Sequence, residues 1–185
     1  ADIIDFLPDA TLVISRNGEV IAWNKAIEEM TSVRAEDILG KNNYEYALPF
    51  YGERRPILID LVFLSHDEIK KKYITLEWKG ATLVGIAHIR ELQGRTNVVL
   101  HGTASILKNS KGEITGAIES IRDITERVRA EEALNESRRH LEEIIDFLPD
   151  ATLVLDQSGR IIAWNRAIEE MTGFKAEEML GKGNN

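Results

Sequence analysis

The residues of this chain that could do chemistry are few: it has four histidines and no cysteine. Without a thiol it can form no disulfide, thiolate metal site, cysteine nucleophile or cysteine-bonded chromophore within this stretch. His140, in ESRRHLEEI, is the type of residue a kinase phosphorylates, a histidine on a helix followed by acids. It lacks the Glu-Leu-Arg-Thr-Pro tail of such acceptors, so a solvated helix position is the favoured reading. His88 and His101 fall in alternating apolar stretches with no second ligand at metal-binding spacing. His66 sits between Ser65 and Asp67 at a helix boundary, where exposure is favoured. No Gly-rich phosphate loop, Ser-His-Asp set or catalytic carboxylate pair can be placed, and the chain reads as non-catalytic. Glu119 is the sharper case. Period-two alternation in ITGAIESIRDI (114–124) puts it on one face with Ala117 and Ile121, opposite Ile118, Ser120 and Arg122. A carboxylate on a buried face needs a donor, because an unpaired buried charge is very costly.

The elements that must position these residues are legible from pattern. ATLVIS (10–15), the turn at Asn17 and Gly18, and EVIAWN (19–24) predict a strand pair. Asn24 is a good N-cap for a helix KAIEEMTS with Ala26, Ile27 and Met30 inward. A short helix AEDILG stops at Gly40, and 41–54 read as irregular. A buried helix carrying ILIDLVFL follows Pro56, then a capping box of Ser65 and Glu68. Strands are expected at YITLEW (73–78), TLVGIAHI (82–89), NVVLHGTASIL (97–107) and 114–124, making an α+β fold with antiparallel strands around a cluster of helices. Trp23 reads as core.

The opening sequence returns. With an offset of 141 (Ile144 minus Ile3), residues 3–43 face 144–184. Roughly two-thirds of the positions are identical, over a period far too long for a solenoid repeat and suited to a whole domain. Between the copies, Leu134, Leu141 and Leu148 recur every seven residues, with Ala130, Ser137 and Ile144 in step, a weak heptad seam. Asp123, three residues before Glu126, is expected to cap this helix and tie it to the last strand. The formal charge of −8 argues against contact with nucleic acid or an anionic membrane surface. No apolar run is long enough to span a bilayer, and a cytoplasmic location fits.

FLPDATLV, the strand-turn-strand ending in NGEVIAWN, and GEITGAIESIRDITERVRAEEAL at 112–134 resemble a PAS domain, the sensory module common in prokaryotic, including archaeal, signalling kinases. The triplet Asp123-Ile124-Thr125 is similar to the family's C-terminal signature. The resemblance implies a PAS sensor domain at 1–125, a coiled-coil signalling helix at 126–147, and the truncated N-terminal part of a second PAS domain at 148–185. It implies a five-stranded antiparallel sheet flanked by short helices, followed by a long signalling helix. A small-molecule ligand would lie between the buried helix and the sheet's inner face, among Leu58, Val62, Leu100, Gly102, Ala117, Glu119 and Ile121. There Glu119 is expected to meet a polar or cationic ligand or, with more weight, to pair with Tyr44, Tyr46 or Lys41. Asp123, Ile124, Thr125 and Glu126 would transmit the signal. Some heme-binding members ligate iron from the corresponding helix, which makes His66 a minor candidate; otherwise no metal is expected and no cofactor is required.

The leading expectation is a sensory and dimerisation module of a sensor histidine kinase in a two-component phosphorelay. Homodimers would form through the linker helix or by exchange of PAS elements, the second copy covering its apolar face on another chain. A noncovalent heme- or flavin-bearing redox or gas sensor is the first alternative, and a structural spacer without ligand the second.

Overall fold

The stretch ATLVIS becomes the first strand with the bounds expected. In the computed structural model, which describes residues 3–65, 67–69 and 76–183, β1 is Ala10–Ser15 and pairs antiparallel with β2, Val20–Trp23. The helix α1 (Lys25–Thr31) follows, Asn24 Oδ1 accepting from the Ile27 N–H at 3.0 Å as a cap should. α2 (Ala35–Ile38) ends just before Gly40, whose φ of +78° suits glycine. The stretch 41–54 is more regular than expected. Glu45–Ala47 form a 3₁₀ turn and Leu48–Tyr51 form α3, because Tyr46, Ala47 and Phe50 are drawn into the core. The helix predicted over ILIDLVFL is shorter than expected. α4 spans Leu58–Leu61, and the chain then tightens into a turn with Leu64 N–H bonded to the Leu61 carbonyl, three residues back. Ser65 and Glu68 form the expected capping pair, the Glu68 carboxylate accepting from the Ser65 N–H at 2.9 Å.

Of YITLEW, Tyr73 to Thr75 lie outside the described residues; β3 is Glu77–Lys79 and turns at Gly80 into β4, Thr82–Leu92. β5 (Arg95–Lys108) and β6 (Ile114–Asp123) complete an antiparallel sheet of order β2-β1-β6-β5-β4-β3. The sheet thus has the five expected long-range strands plus the short β3 at its edge. Its inner face carries Leu12, Ile14, Leu83, Val98, Ala104 and Ala117 against the helices, all buried. Long-range pairing puts β6 in the centre, between β1 and β5, so residues near both ends of the domain meet there. This is the α+β architecture expected.

The repeated phrase has a structural reason. Asn24, fully buried, accepts from the Thr11 N–H (2.8 Å) and Ile27 N–H, and its amide donates to the carbonyls of Ile4, Leu7 and Asp9. One side chain joins the opening turn, β1 and α1, with both its ends satisfied. Trp23 is core, as expected, its Nε1 donating to the Val33 carbonyl at 3.0 Å.

The chain divides into two compact units, Ala1–Val128 and Arg129–Asn185. The long helix is α5, Thr125–Phe147. The second unit repeats the start of the first: β7 (Leu153–Leu155), β8 (Ile161–Trp164), α6 (Arg166–Thr172) and α7 (Ala176–Met179). Asn165 repeats the Asn24 network, accepting from the Thr152 and Ile168 N–H groups and donating to the carbonyls of Leu148 and Asp150. In the first unit β1 is covered by β6, and Leu12 is 0% exposed; the matching Leu153 is 43% exposed.

Candidate functional site

Two glycines open the site. Gly85 of β4 and Gly102 of β5 are cross-strand partners, and Ile121 of β6 pairs with Gly102 on the other side. Where other pairs would place two side chains, this row lets Leu58 and Leu76 come close to the sheet. A Cβ on Gly102 would lie 2.8 Å from Leu58 Cδ2 and 3.0 Å from Glu119 Oε1, and one on Gly85 would lie 2.4 Å from Leu76 Cδ2. Beside these contacts lies a cavity of about 220 Å³ roofed by Leu58 and Leu61 of α4, walled by Phe50 and Tyr51 of α3, and floored by Gly85, Leu100, Gly102, Glu119 and Ile121.

Five of the seven residues expected at a ligand site, Leu58, Leu100, Gly102, Glu119 and Ile121, are brought together around this cavity. Val62 and Ala117 are not in its lining. α4 ends at Leu61, and Val62 in the following turn is packed into the core. Ala117 lies between Ile14 and Ile106 across the strands, where core side chains close the space. The sequence reading missed Gly85, Leu76, Phe50 and Tyr51. Gly85 carries a signal, a glycine inside a strand pattern, which marks close approach of another group; the others depend on the fold.

Glu119 is 4% exposed. Its Oε2 accepts from the Ile59 N–H at 2.9 Å, and Oε1 has no hydrogen-bond partner among the described residues. The expected partners Tyr44, Tyr46 and Lys41 are not the ones it takes. Tyr46 instead donates its hydroxyl to Asp60 Oδ1, and Asp60 Oδ2 accepts from the Ile57 N–H at 2.8 Å. The reason is proximity: Tyr46, buried in its 3₁₀ turn, meets Asp60 of α4, and the first turn of that helix leaves the Ile59 N–H free for Glu119. Burial pushes the Glu119 carboxyl up to about 8; the Ile59 hydrogen bond opposes this and the Asp60 charge adds to it. Burial also raises Asp60, against the pull of its bonds from Tyr46 and Ile57. Tyr46 is raised by burial and by its bond to Asp60, and Tyr51 by burial. At neutral pH Glu119 therefore holds its proton and presents a neutral carboxyl to an apolar cavity.

Four residues beyond Glu119 on the same strand, Asp123 begins the passage into α5. Its Oδ1 accepts from the Thr125 N–H (2.9 Å) and hydroxyl, and its Oδ2 pairs with Arg95 at 2.7 Å. Partial burial would raise the carboxyl, but these bonds together hold it below its usual range. The Thr125 Oγ1 in turn accepts from the Val99 N–H at 2.9 Å, and the Ile124 N–H bonds the Val99 carbonyl. Asp123 thus caps through Thr125 rather than through a reciprocal bond with Glu126, because α5 begins at Thr125. The start of α5 is fastened to β5 and β6 by four bonds through two side chains and one backbone.

His88 and His140 are exposed and His101 is half-buried; His66 lies outside the described residues. No group of three metal-ligating side chains occurs among the described residues. The cavity does not fit heme or flavin. An apolar space of about 150 Å³ holds one benzene ring, so about 220 Å³ has no room for a macrocycle or a three-ring isoalloxazine.

Comparison with known proteins agrees with this geometry. A family model described as the PAS fold matches residues 4–129, and a second with the same description matches residues 139–183. The chain belongs to the PAS family. A PAS chain of this length is similar to phytochrome of Picea abies, at 27% identity over 92% of this chain and 14% of that protein. It is also similar to the oxygen sensor protein DosP of Escherichia coli, at 26% identity over 92% of this chain and 19% of that one. Among solved structures, the PAS domain of Bordetella pertussis BvgS matches 75% of this chain and 93% of its own, with 22% identity and a TM-score of 0.49. The PAS chain thus spans less than a fifth of the length of either curated relative. No helix among the described residues is long and apolar enough to cross a membrane.

Proposed function

We propose that this chain is a non-catalytic sensory and dimerisation module in which residues 1–125 bind a small molecule. Residues 126–147 carry the resulting change along a helix to a second PAS unit beginning at 148. Its parent, on this reading, is a cytoplasmic prokaryotic sensor histidine kinase of a two-component phosphorelay. The observation that supports it best is the placement of Glu119 and Asp123 on one central strand. The first faces the cavity and the second fastens the root of α5, so a shift of β6 on binding reaches the helix within four residues. Leu58, Leu100, Gly102, Glu119 and Ile121 are the ligand-contacting set, and Asp123, Ile124, Thr125 and Glu126 the transmitting set. An open cavity favours this over a spacer packed with its own side chains.

Dimers are proposed to form along α5, where Leu134, Leu141 and Ile144 are exposed in heptad register. Native mass spectrometry of the purified chain tests the sensory reading. A retained small molecule is expected, and it should be lost in Gly102→Ala, whose Cβ drives Leu58 into the cavity. No retained species, with unchanged α5 amide exchange on cavity filling, would sink it.

A further inference from the structure

Among the described residues, one polar side chain reaches the interior of the cavity. Besides Glu119, the polar side chains in the lining are Tyr51 and Arg55. Arg55 is half exposed, pairs with Glu53 at 3.6 Å and lies 4.9 Å over the Tyr51 ring, so its charge is spent at the rim. The other described side chains in the lining are hydrocarbon, with glycine at two places. Among the described residues the interior group left to address is Glu119 Oε1, beside Gly102, with its sister oxygen held by Ile59.

Resting on the reading of this cavity as the sensory site, we propose that its ligand is a small uncharged molecule of about one ring, carrying a single hydrogen-bond acceptor that Glu119 Oε1 engages. Ketones, amides and ring nitrogens are the acceptor class. Size sets the first limit: a little more than the volume that holds benzene admits one ring and a short substituent. Hydrogen-bond counting sets the second. A primary ammonium brings three donors to a place with one free acceptor, and leaving two unpaired in hydrocarbon is costly. A carboxylate brings a buried charge with no cation nearer than the rim among the described residues. A neutral acceptor needs one bond, and the protonated carboxyl supplies it. The titratable groups facing Glu119 do not alter this. Asp60 is engaged by Tyr46 and Ile57, which strengthens retention of the Glu119 proton, and Tyr51 stays neutral well past pH 7.

The test uses the whole chain, isotope-labelled, and four matched probes: acetophenone, ethylbenzene, benzylamine and benzoate. At pH 6.5 acetophenone is expected to shift the amides of Gly102 and Ile59 and to bind roughly tenfold more tightly than ethylbenzene, the worth of one net hydrogen bond; the two charged probes should bind more weakly than either. At pH 9, where the carboxyl is mostly ionised, the acetophenone advantage should shrink by about tenfold in the wild type. It should persist in Glu119→Gln, whose amide donates at either pH. Acetophenone no better than ethylbenzene at pH 6.5, or benzylamine as the leading probe, overturns the ligand class while leaving the cavity a ligand site. If none of the four shifts an amide of the lining, the sensory reading of the cavity fails as well.

Discussion

Replacing Glu119 by Gln should change how the first unit's stability depends on pH. In the folded chain the carboxyl titrates at about 8, whereas freed on unfolding it returns to its ordinary 4.5. Below pH 4.5 both states hold the proton and the group contributes no pH dependence. Between 4.5 and 8 only the folded state holds it, so stability falls as pH rises, by about 1.4 kcal/mol per unit. The loss amounts to about 3 kcal/mol by pH 7 and about 5 kcal/mol above pH 8, a large share of the 5–15 kcal/mol of a typical domain. Glutamine keeps an oxygen for the Ile59 N–H and has no proton to lose. The stability difference between Glu119→Gln and the wild type should therefore move in the variant's favour by several kcal/mol from pH 5 to pH 9. Asp60 and Tyr46 remain in both proteins and drop out of the comparison. Urea unfolding at pH 5, 7 and 9, followed by tryptophan fluorescence, measures it. Parallel pH profiles would show that Glu119 is not held protonated by burial, and would remove the physical basis for a neutral donor in the cavity.

Asn24→Ala strips the acceptor from two backbone N–H groups and the donor from three carbonyls in a fully buried spot; it should cost about 2–4 kcal/mol, read as a lower urea midpoint for the first unit. Thr125→Val removes the bonds from the Val99 N–H and to Asp123. Amide exchange in the first turn of α5 and at Val99 should speed up, for about 1–2 kcal/mol of stability, while probe binding in the cavity stays unchanged. Leu134→Glu with Leu141→Glu puts like charges into the proposed seam, and sedimentation should show dimer loss without a change in the first unit's unfolding. An unchanged sedimentation coefficient would remove the dimer from α5.

Local pattern made most of the scaffold legible. β1 coincides with ATLVIS because its β-branched residues, the turn chemistry after it and its burial all agree there, and the Asn24 cap follows from its type and place. The stretch 41–54 was illegible because its helical turns exist to bury Tyr46 and Phe50, whose partners lie elsewhere in the sequence. The cavity was half legible. Strand alternation placed Glu119 inward, but its actual partner is the backbone of Ile59, and a backbone N–H has no letter in a sequence. Where α4 stops, and hence that Val62 turns to the core, depends on packing that no local rule contains.

The asparagine at the head of each copy has a consequence for how such chains grow. Every side-chain bond of Asn24 falls between residues 4 and 27, and those of Asn165 fall between residues 148 and 168. The second copy keeps its latch although Leu153, unlike Leu12, is left uncovered. A latch that closes on its own segment travels with that segment. Duplicating the coding stretch duplicates a working clasp, with no requirement for matching changes elsewhere. The bond pattern is thus a reason why ATLV and AWN are the same in both copies while Arg16, Asn17 and Glu19 stand against Gln157, Ser158 and Arg160 in the turn between them.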